Sequence, residues 1–593
     1  MKNCFYIIVL LSVIILSPDY LSAQAVGNVT GVQISGNTLQ LQCGTDVVVF
    51  KVCTENVIMV NLRPNGIESP DTLVVNNTTW SSVPAAIDTS SDPITIQTSN
   101  YRVEINRTPM RISGYNSSGT LLFNEPAALG INPTGISLTT TGGNFYGIHS
   151  PNAAGLLASG GNIYAGSQGQ AGAPFIWTTK GWGMFADVES GSINLSSNSI
   201  TFLRNNDPLK VDIEFYFVFG SPKDIINGMT DVTGKPPLFP KFSLGFLNSQ
   251  WGMNQTKLLG YVSTYRSKGI PLDAYILDFD WMDWGADNYG EFRFGPNFPS
   301  ASGGVLRDSL LKNGVKLFGI RKPRVHTFTI EGQIAISQHY FVDSLIDYFS
   351  NKMVVRMNFN IPGARQWFYT NFIDMNSYNN GIIGYWNDEA DEYGNNFNFM
   401  QMQRTMYEGQ RKNNNSRVWS INRNYFLGAQ RYAYGHWSGD INTGFPSMQA
   451  QPVSMISSIL LGSGWWSMDI GGFNGTPSSE NYYRWMQFGA FVPIYRVHGY
   501  LNLEREPWIY GTEAEQISVN YIKLRYKLLP YIYSAAWENH LTGLSIARPL
   551  LMEYPDDQNV ANMSDEWMFG HDLRHSVSSK CPVRSRRMHQ NQL

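Results

Sequence analysis

The chain is poor in charge and in sulfur. Of its 593 residues only 15% are charged, against about a quarter in ordinary globular proteins, and 43 basic and 46 acidic side chains nearly cancel to −3. That balance offers no broad basic face for a polyanion, so nucleic acid is not an expected partner. There are only four cysteines, and no Cys/His spacing has the form of a zinc site, so no metal is implied. No run reaches the ~20 apolar residues of a membrane span. The apolar stretch at residues 5–16 is short, follows Lys2 and precedes the small-residue pattern Ala23-Gln24-Ala25. Residues 1–25 therefore read as a signal peptide, and the protein is expected to be secreted or periplasmic.

What is abundant is aromatic: 16 Trp, 31 Tyr and 32 Phe. Rings that are apolar on the face and polar at the tip suit a neutral polyhydroxylated partner, an oligosaccharide or glycoside, although large cores are aromatic too. Of the cysteines, Cys4 would leave with the signal peptide, Cys43 and Cys53 flank a short β-like run and are candidates to pair, and Cys581 is left over.

The length implies about three domains. Across residues 26–234, short apolar or β-branched runs such as Leu39-Gln-Leu-Gln, Val47-Val-Val-Phe-Lys-Val and Ile94-Thr-Ile-Gln alternate with Gly/Asn/Ser/Thr turns, the pattern of an antiparallel β-sandwich. Gly234-Lys-Pro-Pro-Leu-Phe-Pro marks a boundary. Over 235–545 the period changes. Buried-looking strands (Ala274-Tyr-Ile-Leu, Lys316-Leu-Phe-Gly-Ile, Gly384-Tyr-Trp) alternate with helical stretches at 256–268, 364–375, 400–412 and 453–461, which predicts a (β/α)8 barrel whose chemistry lies at the C-terminal ends of its strands. Three acidic clusters fall at such ends: Asp278-Phe-Asp-Trp-Met-Asp283, Asp388-Glu-Ala-Asp-Glu392, and Asp440 in His436-Trp-Ser-Gly-Asp440. An acidic turn is most often a solvated loop. Set among large rings, however, carboxyls can be driven to different charge states, which glycoside hydrolysis requires of its two carboxyls.

These residues begin a resemblance that runs along nearly the whole chain. Leu277-Asp-Phe-Asp-Trp-Met-Asp, Gly384-Tyr-Trp-Asn-Asp388-Glu, Asn422-Arg423, His436-Trp-Ser-Gly-Asp440, Asp469-Ile-Gly-Gly-Phe, Tyr495-Arg-Val-His498-Gly and Leu524-Arg-Tyr-Lys-Leu-Leu-Pro-Tyr resemble, in order, the motifs of glycoside hydrolase family 31, the retaining α-glucosidase, α-xylosidase and α-galactosidase family. The resemblance implies that Asp388 is the nucleophile and Asp440 the general acid/base. It implies sugar-binding roles for Asp278, Arg423 and His498, and wall positions for Trp251, Trp386, Trp437 and Asp469. The activity expected is that of an exo-α-glycosidase needing no cofactor; a transglycosylase and an inactive glycan-binding homologue are the alternatives.

The chain departs from the family pattern in several places. Many members carry Trp-x-Asp-Met-Asn-Glu at the nucleophile, whereas this chain has Trp386-Asn-Asp-Glu-Ala-Asp391. The segment beginning Gly161-Asn-Ile-Tyr, where the family's sandwich sends a loop toward the active site, lacks an acidic residue, and the strand end Gly319-Ile-Arg-Lys-Pro-Arg-Val-His326 is unusually basic. These departures favour a divergent member, α-galactosidase-like or transglycosylating, over a plain maltase. The match stops at Arg574. Residues 546–573 read as the start of a C-terminal β domain, and 574–593, with five Lys/Arg and no acid, as a non-family tail of the kind a frameshift produces.

Overall fold

The computed structural model describes residues 24–152, 154–282 and 293–577. Most of the signal-peptide reading, Asp283, Cys4, Cys581 and the tail beyond Val577 lie outside the described residues.

Two nine-stranded sheets form the N-terminal sandwich; all their pairings are antiparallel except one. Thr38–Cys43 shows the underlying pattern: Leu39, Leu41 and Cys43 point inward and their neighbours outward, so one face is committed to the core. The sheets meet through aromatic rings. Phe123 lies 4.8 Å from Phe217 and 4.7 Å from Trp182 of the opposite sheet. The last part of this region is not a strand but a helix, Pro222–Thr233, with a Ser221/Asp224 capping box at its start and Gly234 at φ 98° at its end.

Cys43 and Cys53 do not pair: both are free and buried. Thr38–Cys43 and Asp46–Val52 form a hairpin in which Cys43 faces Asp46. Cys53 lies at the far end of the second strand, roughly 24 Å away at ~3.4 Å per residue, well beyond the ~7 Å reach of a disulfide.

The barrel strands are β1 (Phe246–Gln250), β2 (Ala274–Leu277), β3 (Lys316–Arg321), β4 (Ile382–Asn387), β5 (Ser420–Asn422), β6 (Gly435–Trp437), β7 (Trp465–Ser467) and β8 (Tyr495–Val497). They pair in parallel in chain order, and β8 returns to β1. Between β7 and β8 the ring closes through an Ile470/Val497 bridge and an Ile494 N–H donated to the Trp466 carbonyl at 3.1 Å. Almost every strand residue is buried, because helices cover the outside while side chains fill the inside.

The helices expected around 256–268, 400–412 and 453–461 run Gln255–Ser267, Asn398–Asn413 and Phe445–Ile459. The one expected at 364–375 starts as Pro362–Phe368 and continues as a π-helix over Tyr369–Tyr378. An unforeseen three-stranded sheet, made of Arg324–His326, Phe341–Ile346 and Met353–Met357, is inserted directly after β3.

At the C-terminal end, Ala547–Pro549, Glu566–Phe569 and Leu573–Ser576 form a small antiparallel sheet. Its last strand runs through Arg574, where the family-like pattern was expected to stop. His575 stacks on Phe491 at 4.3 Å, which carries this strand onto the barrel. Among the described residues, no helix is long and apolar enough to cross a membrane.

Candidate active site

The candidate residues follow the barrel strands. Trp251 comes after β1, Asp278 after β2, Asp388 after β4, Arg423 after β5, Asp440 three residues past β6, Asp469 past β7 and His498 after β8; Trp386 is the penultimate residue of β4 and Trp437 the last of β6. Short strands that terminate at one level of the ring bring these positions to one end of the barrel. A cavity of about 460 Å³ lies there, and Trp251, Asp278, Trp386, Asp388, Arg423 and Asp440 line it.

Asp388 is held by charge on both oxygens. Lys322, just past β3, forms an ion pair with Oδ2, and Arg423 stands 3.2 Å from Oδ1. The Glu389 N–H also donates to Oδ1, at 2.9 Å. Arg423 is itself fixed by Asp391 at 2.7 Å and Glu392 at 2.8 Å. Burial works against the guanidinium charge, but Asp388 and Asp391 outweigh it and push its pKa upward.

Asp440 is in a different setting. It lines the same cavity as Asp388 while part of its surface stays exposed to solvent, and its pKa is raised to about 6, first by desolvation within the cavity and then by the Asp388 charge. Among the described residues it has no ion pair. The sandwich supports its loop from outside. Ala171 and Gly172 pair in parallel with Tyr425 and Phe426 beyond β5, Gly169 donates to the Arg423 carbonyl at 2.7 Å, and the Asp440 N–H donates to Gln168 Oε1 at 3.3 Å. Two glycines permit this approach. At Gly169 (φ 87°) an added Cβ would lie 2.3 Å from the Ser438 backbone, and at Gly439 (φ 76°) 2.7 Å from that of Gln168.

Asp278 is buried. Its Oδ1 accepts the Phe279 N–H at 2.7 Å and its Oδ2 faces His498 Nε2 at 3.5 Å. Burial, opposed by Lys322, raises its pKa to about 7. His498 has no exposed surface. It sits behind Asp278, between Ser249 at 2.9 Å and the ring of Phe473, and burial lowers its pKa to about 3, leaving it neutral.

Three expected contacts therefore do not face the cavity. His498 backs Asp278. Trp437 is fully buried and packs edge-on against Trp386 at 5.9 Å. Asp469 is fully buried and ion-paired with Arg496. All three act on the wall from behind because the β6, β7 and β8 ends turn those side chains into the barrel core.

Other cavity residues were not singled out as site residues: Gln168, Lys322, Tyr348, Phe349, Glu389, Phe473 and Tyr500. The signals for four of them were present: Lys322 in the basic end of β3, Gln168 in the sandwich segment, Glu389 in the acidic cluster after β4 and Phe473 at the end of Asp469-Ile-Gly-Gly-Phe. Tyr348 and Phe349 come from the turn between Phe341–Ile346 and Met353–Met357 of the inserted sheet, which no periodicity announced.

One acidic cluster in the sandwich, Asp71, Asp187 and Glu214, has ligand atoms close enough for a cation. Lys210 already supplies the positive charge there, 2.8 Å from Asp187 and 3.5 Å from Asp212.

A barrel with two carboxyls in different charge surroundings at its strand ends, beside a loop from a β-sandwich, is the arrangement of a glycoside hydrolase. The family model of the glycosyl hydrolases family 31 TIM-barrel domain matches residues 236–535, and the chain belongs to that family. A 1,6-alpha-glucosyltransferase of Sporosarcina globispora is 37% identical over 93% of this chain and 47% of its own length. An alpha-xylosidase of Saccharolobus solfataricus is 32% identical over 67% and 56%. The chain thus spans about half the length of these relatives. Among solved structures, a GH31 dextranase of Flavobacterium johnsoniae complexed with glucose superposes with a TM-score of 0.82 at 22% identity, covering 94% of this chain and 75% of that one. A GH31 alpha-xylosidase from a soil metagenome superposes with a TM-score of 0.83 at 21% identity, covering 94% and 92%. Both likenesses concern the fold.

Proposed function

We propose that the protein is a retaining enzyme acting on terminal α-linked sugars, with Asp388 as nucleophile and Asp440 as general acid/base. The observation that carries this reading is the contrast inside one cavity between the doubly ion-paired Asp388 and the raised, unpaired Asp440. Asp388 attacks the anomeric carbon as the glycosidic C–O bond breaks, and Asp440 gives its proton to the departing oxygen. The anionic Asp440 then takes a proton from an incoming hydroxyl, which displaces Asp388 and leaves the α configuration restored. Asp278 and Arg423 hold hydroxyls of the reacting sugar, and Trp251 and Trp386 form its walls. Buried charged partners of this kind discriminate against a sugar that leaves them unpaired.

Transfer to a second sugar, alongside hydrolysis, is supported by the likeness to the 1,6-alpha-glucosyltransferase. A second cleft of about 580 Å³, lined by Ser167, Gln170, Glu189, Asn395, Asn396 and Asn424, shares the lining residue Glu392 with the catalytic cavity and is the space proposed for an acceptor. An α-glucosyl donor is the substrate proposed, and the N-terminal signal pattern supports export. The test is turnover of p-nitrophenyl α-glucoside, α-xyloside and α-galactoside, with product analysis at high sugar concentration. Release of p-nitrophenol together with longer oligosaccharides supports the reading. Turnover unaffected by Asp388→Ala refutes it.

A further inference from the structure

Glu389, the residue immediately after the nucleophile, is in an improbable place. Its backbone is left-handed, at φ 62°, a conformation that costs a non-glycine residue energy and persists only where its surroundings enforce it. Its carboxylate is buried beside that of Asp388. Three side chains hold it: Lys322 and Tyr348 contact Oε1, and Arg324 contacts Oε2. Arg324 is in turn fixed by Asp347 at 2.6 Å. Burial disfavours the charge on Glu389, but Lys322 and Arg324 overcome it and hold the carboxyl well below its ordinary range.

Lys322 is the hinge of this arrangement. Its single ammonium, itself buried, touches both Asp388 Oδ2 and Glu389 Oε1 and lies 4.2 Å from the centre of the Phe279 ring. Two successive carboxylates in a poorly solvated cavity repel each other, and a cation bridging them converts repulsion into a fixed geometry. When Asp388 becomes a neutral glycosyl ester, Glu389 stays ionised, so Lys322 is never left without a counter-ion. The basic end of β3 and the acidic turn after β4, 67 residues apart in sequence, thus form one device.

We propose that Lys322 and Glu389 act as a coupled unit in which Lys322 is a positioning residue for the nucleophile, screening Asp388 from the carboxylate of Glu389 and fixing the left-handed turn that aims it. This rests on the reading of Asp388 as nucleophile, so Asp388→Ala is measured in parallel. Lys322→Met removes the cation between Asp388 and Glu389, leaving Glu389 to Arg324 and Tyr348 alone, and is expected to lower kcat for the p-nitrophenyl α-glycoside that the protein turns over by on the order of 100-fold, with KM changed less than about threefold, since the substrate contacts stay in place. Glu389→Met, which leaves Lys322 on Asp388, is expected to cost on the order of tenfold. The double variant, with no charge left to screen, is expected to return to within about threefold of Glu389→Met. That recovery is a rescue that a purely additive pair of losses does not show.

A double variant at least tenfold worse than Glu389→Met overturns the proposal, because Lys322 then contributes directly to the reaction in the absence of Glu389. So does wild-type kcat in Lys322→Met. If Lys322→Met does not fold, the comparison of Glu389→Met with the double variant decides alone. Activity in Asp388→Ala removes the nucleophile reading itself, whereas a dead Asp388→Ala with an unaffected Lys322→Met removes only the coupled unit.

Discussion

The two halves of the active site are built differently. The side carrying Asp388 is dense with charge: Lys322, Arg324 and Arg423 interlock with Asp388, Glu389, Asp391 and Asp347. The side carrying Asp440 holds its loop with glycines, backbone contacts and the Gln168 amide, and leaves the carboxyl without a cation partner among the described residues. The contrast is what the proposed chemistry requires. A nucleophile has to be an oriented anion; an acid has to keep its proton in a site where a carboxyl would ordinarily lose it. One fold reaches both ends by giving one carboxyl its counter-ions and denying them to the other.

Breaking the charged side has the largest expected effect. Asp388→Ala should lower turnover by on the order of 10⁴-fold or more, since no covalent intermediate can form; steady-state kinetics on the best p-nitrophenyl glycoside measures it. Breaking the uncharged side with Asp440→Ala should cost about 10²–10⁴-fold on a natural glycoside and much less on one with a p-nitrophenyl leaving group, which departs without protonation. Azide, an anion that needs no general base, should restore turnover of the aryl substrate in this variant and yield an α-glycosyl azide, identified by NMR.

The contrast sharpens with pH. Asp440 is raised to about 6, by desolvation within the cavity and then by the Asp388 charge, so it is protonated below that pH and ionised above it. The kcat/KM of a natural glycoside is therefore expected to fall as pH rises through about 6, by up to tenfold per unit. A rate profile that stays flat to pH 8 contradicts the assignment. Asp278, raised to about 7, titrates nearby, so the limb attributed to Asp440 is the one that disappears in Asp440→Ala assayed on the aryl substrate. The smallest effect is expected at the loop from the sandwich. Gln168→Ala removes one hydrogen bond to the Asp440 backbone, worth about 1 kcal/mol, and should cut kcat roughly three- to tenfold.

How much of this was legible in the sequence follows the same division. Asp278, Asp388, Arg423 and Asp440, each in a motif at or within three residues of a strand end, line one cavity, because a barrel places all strand ends at one mouth. The switch from alternating to continuous apolar runs likewise marked sandwich from barrel. What stayed hidden depended on partners distant along the chain. Glu389 and the basic end of β3 each stood out as a departure, yet only the parallel pairing of β3 with β4, which sets Arg321 beside Asn387, shows that they answer one another. Trp437, Asp469 and His498 were placed at the right strands but on the wrong side of the wall, since local sequence does not say whether a side chain at a strand end turns toward the cavity or the core. Cys43 and Cys53 look adjacent in sequence but lie at opposite ends of a hairpin.

The account's central claim is the assignment of the nucleophile, and labelling tests it most directly. Incubation with 5-fluoro-α-glucosyl fluoride, whose fluorine slows breakdown of the glycosyl ester, followed by proteolysis and mass spectrometry, is expected to place one glycosyl adduct on Asp388. An adduct on Glu389 or Asp391, or steady turnover of an α-glucoside by the Asp388→Ala variant, would contradict it.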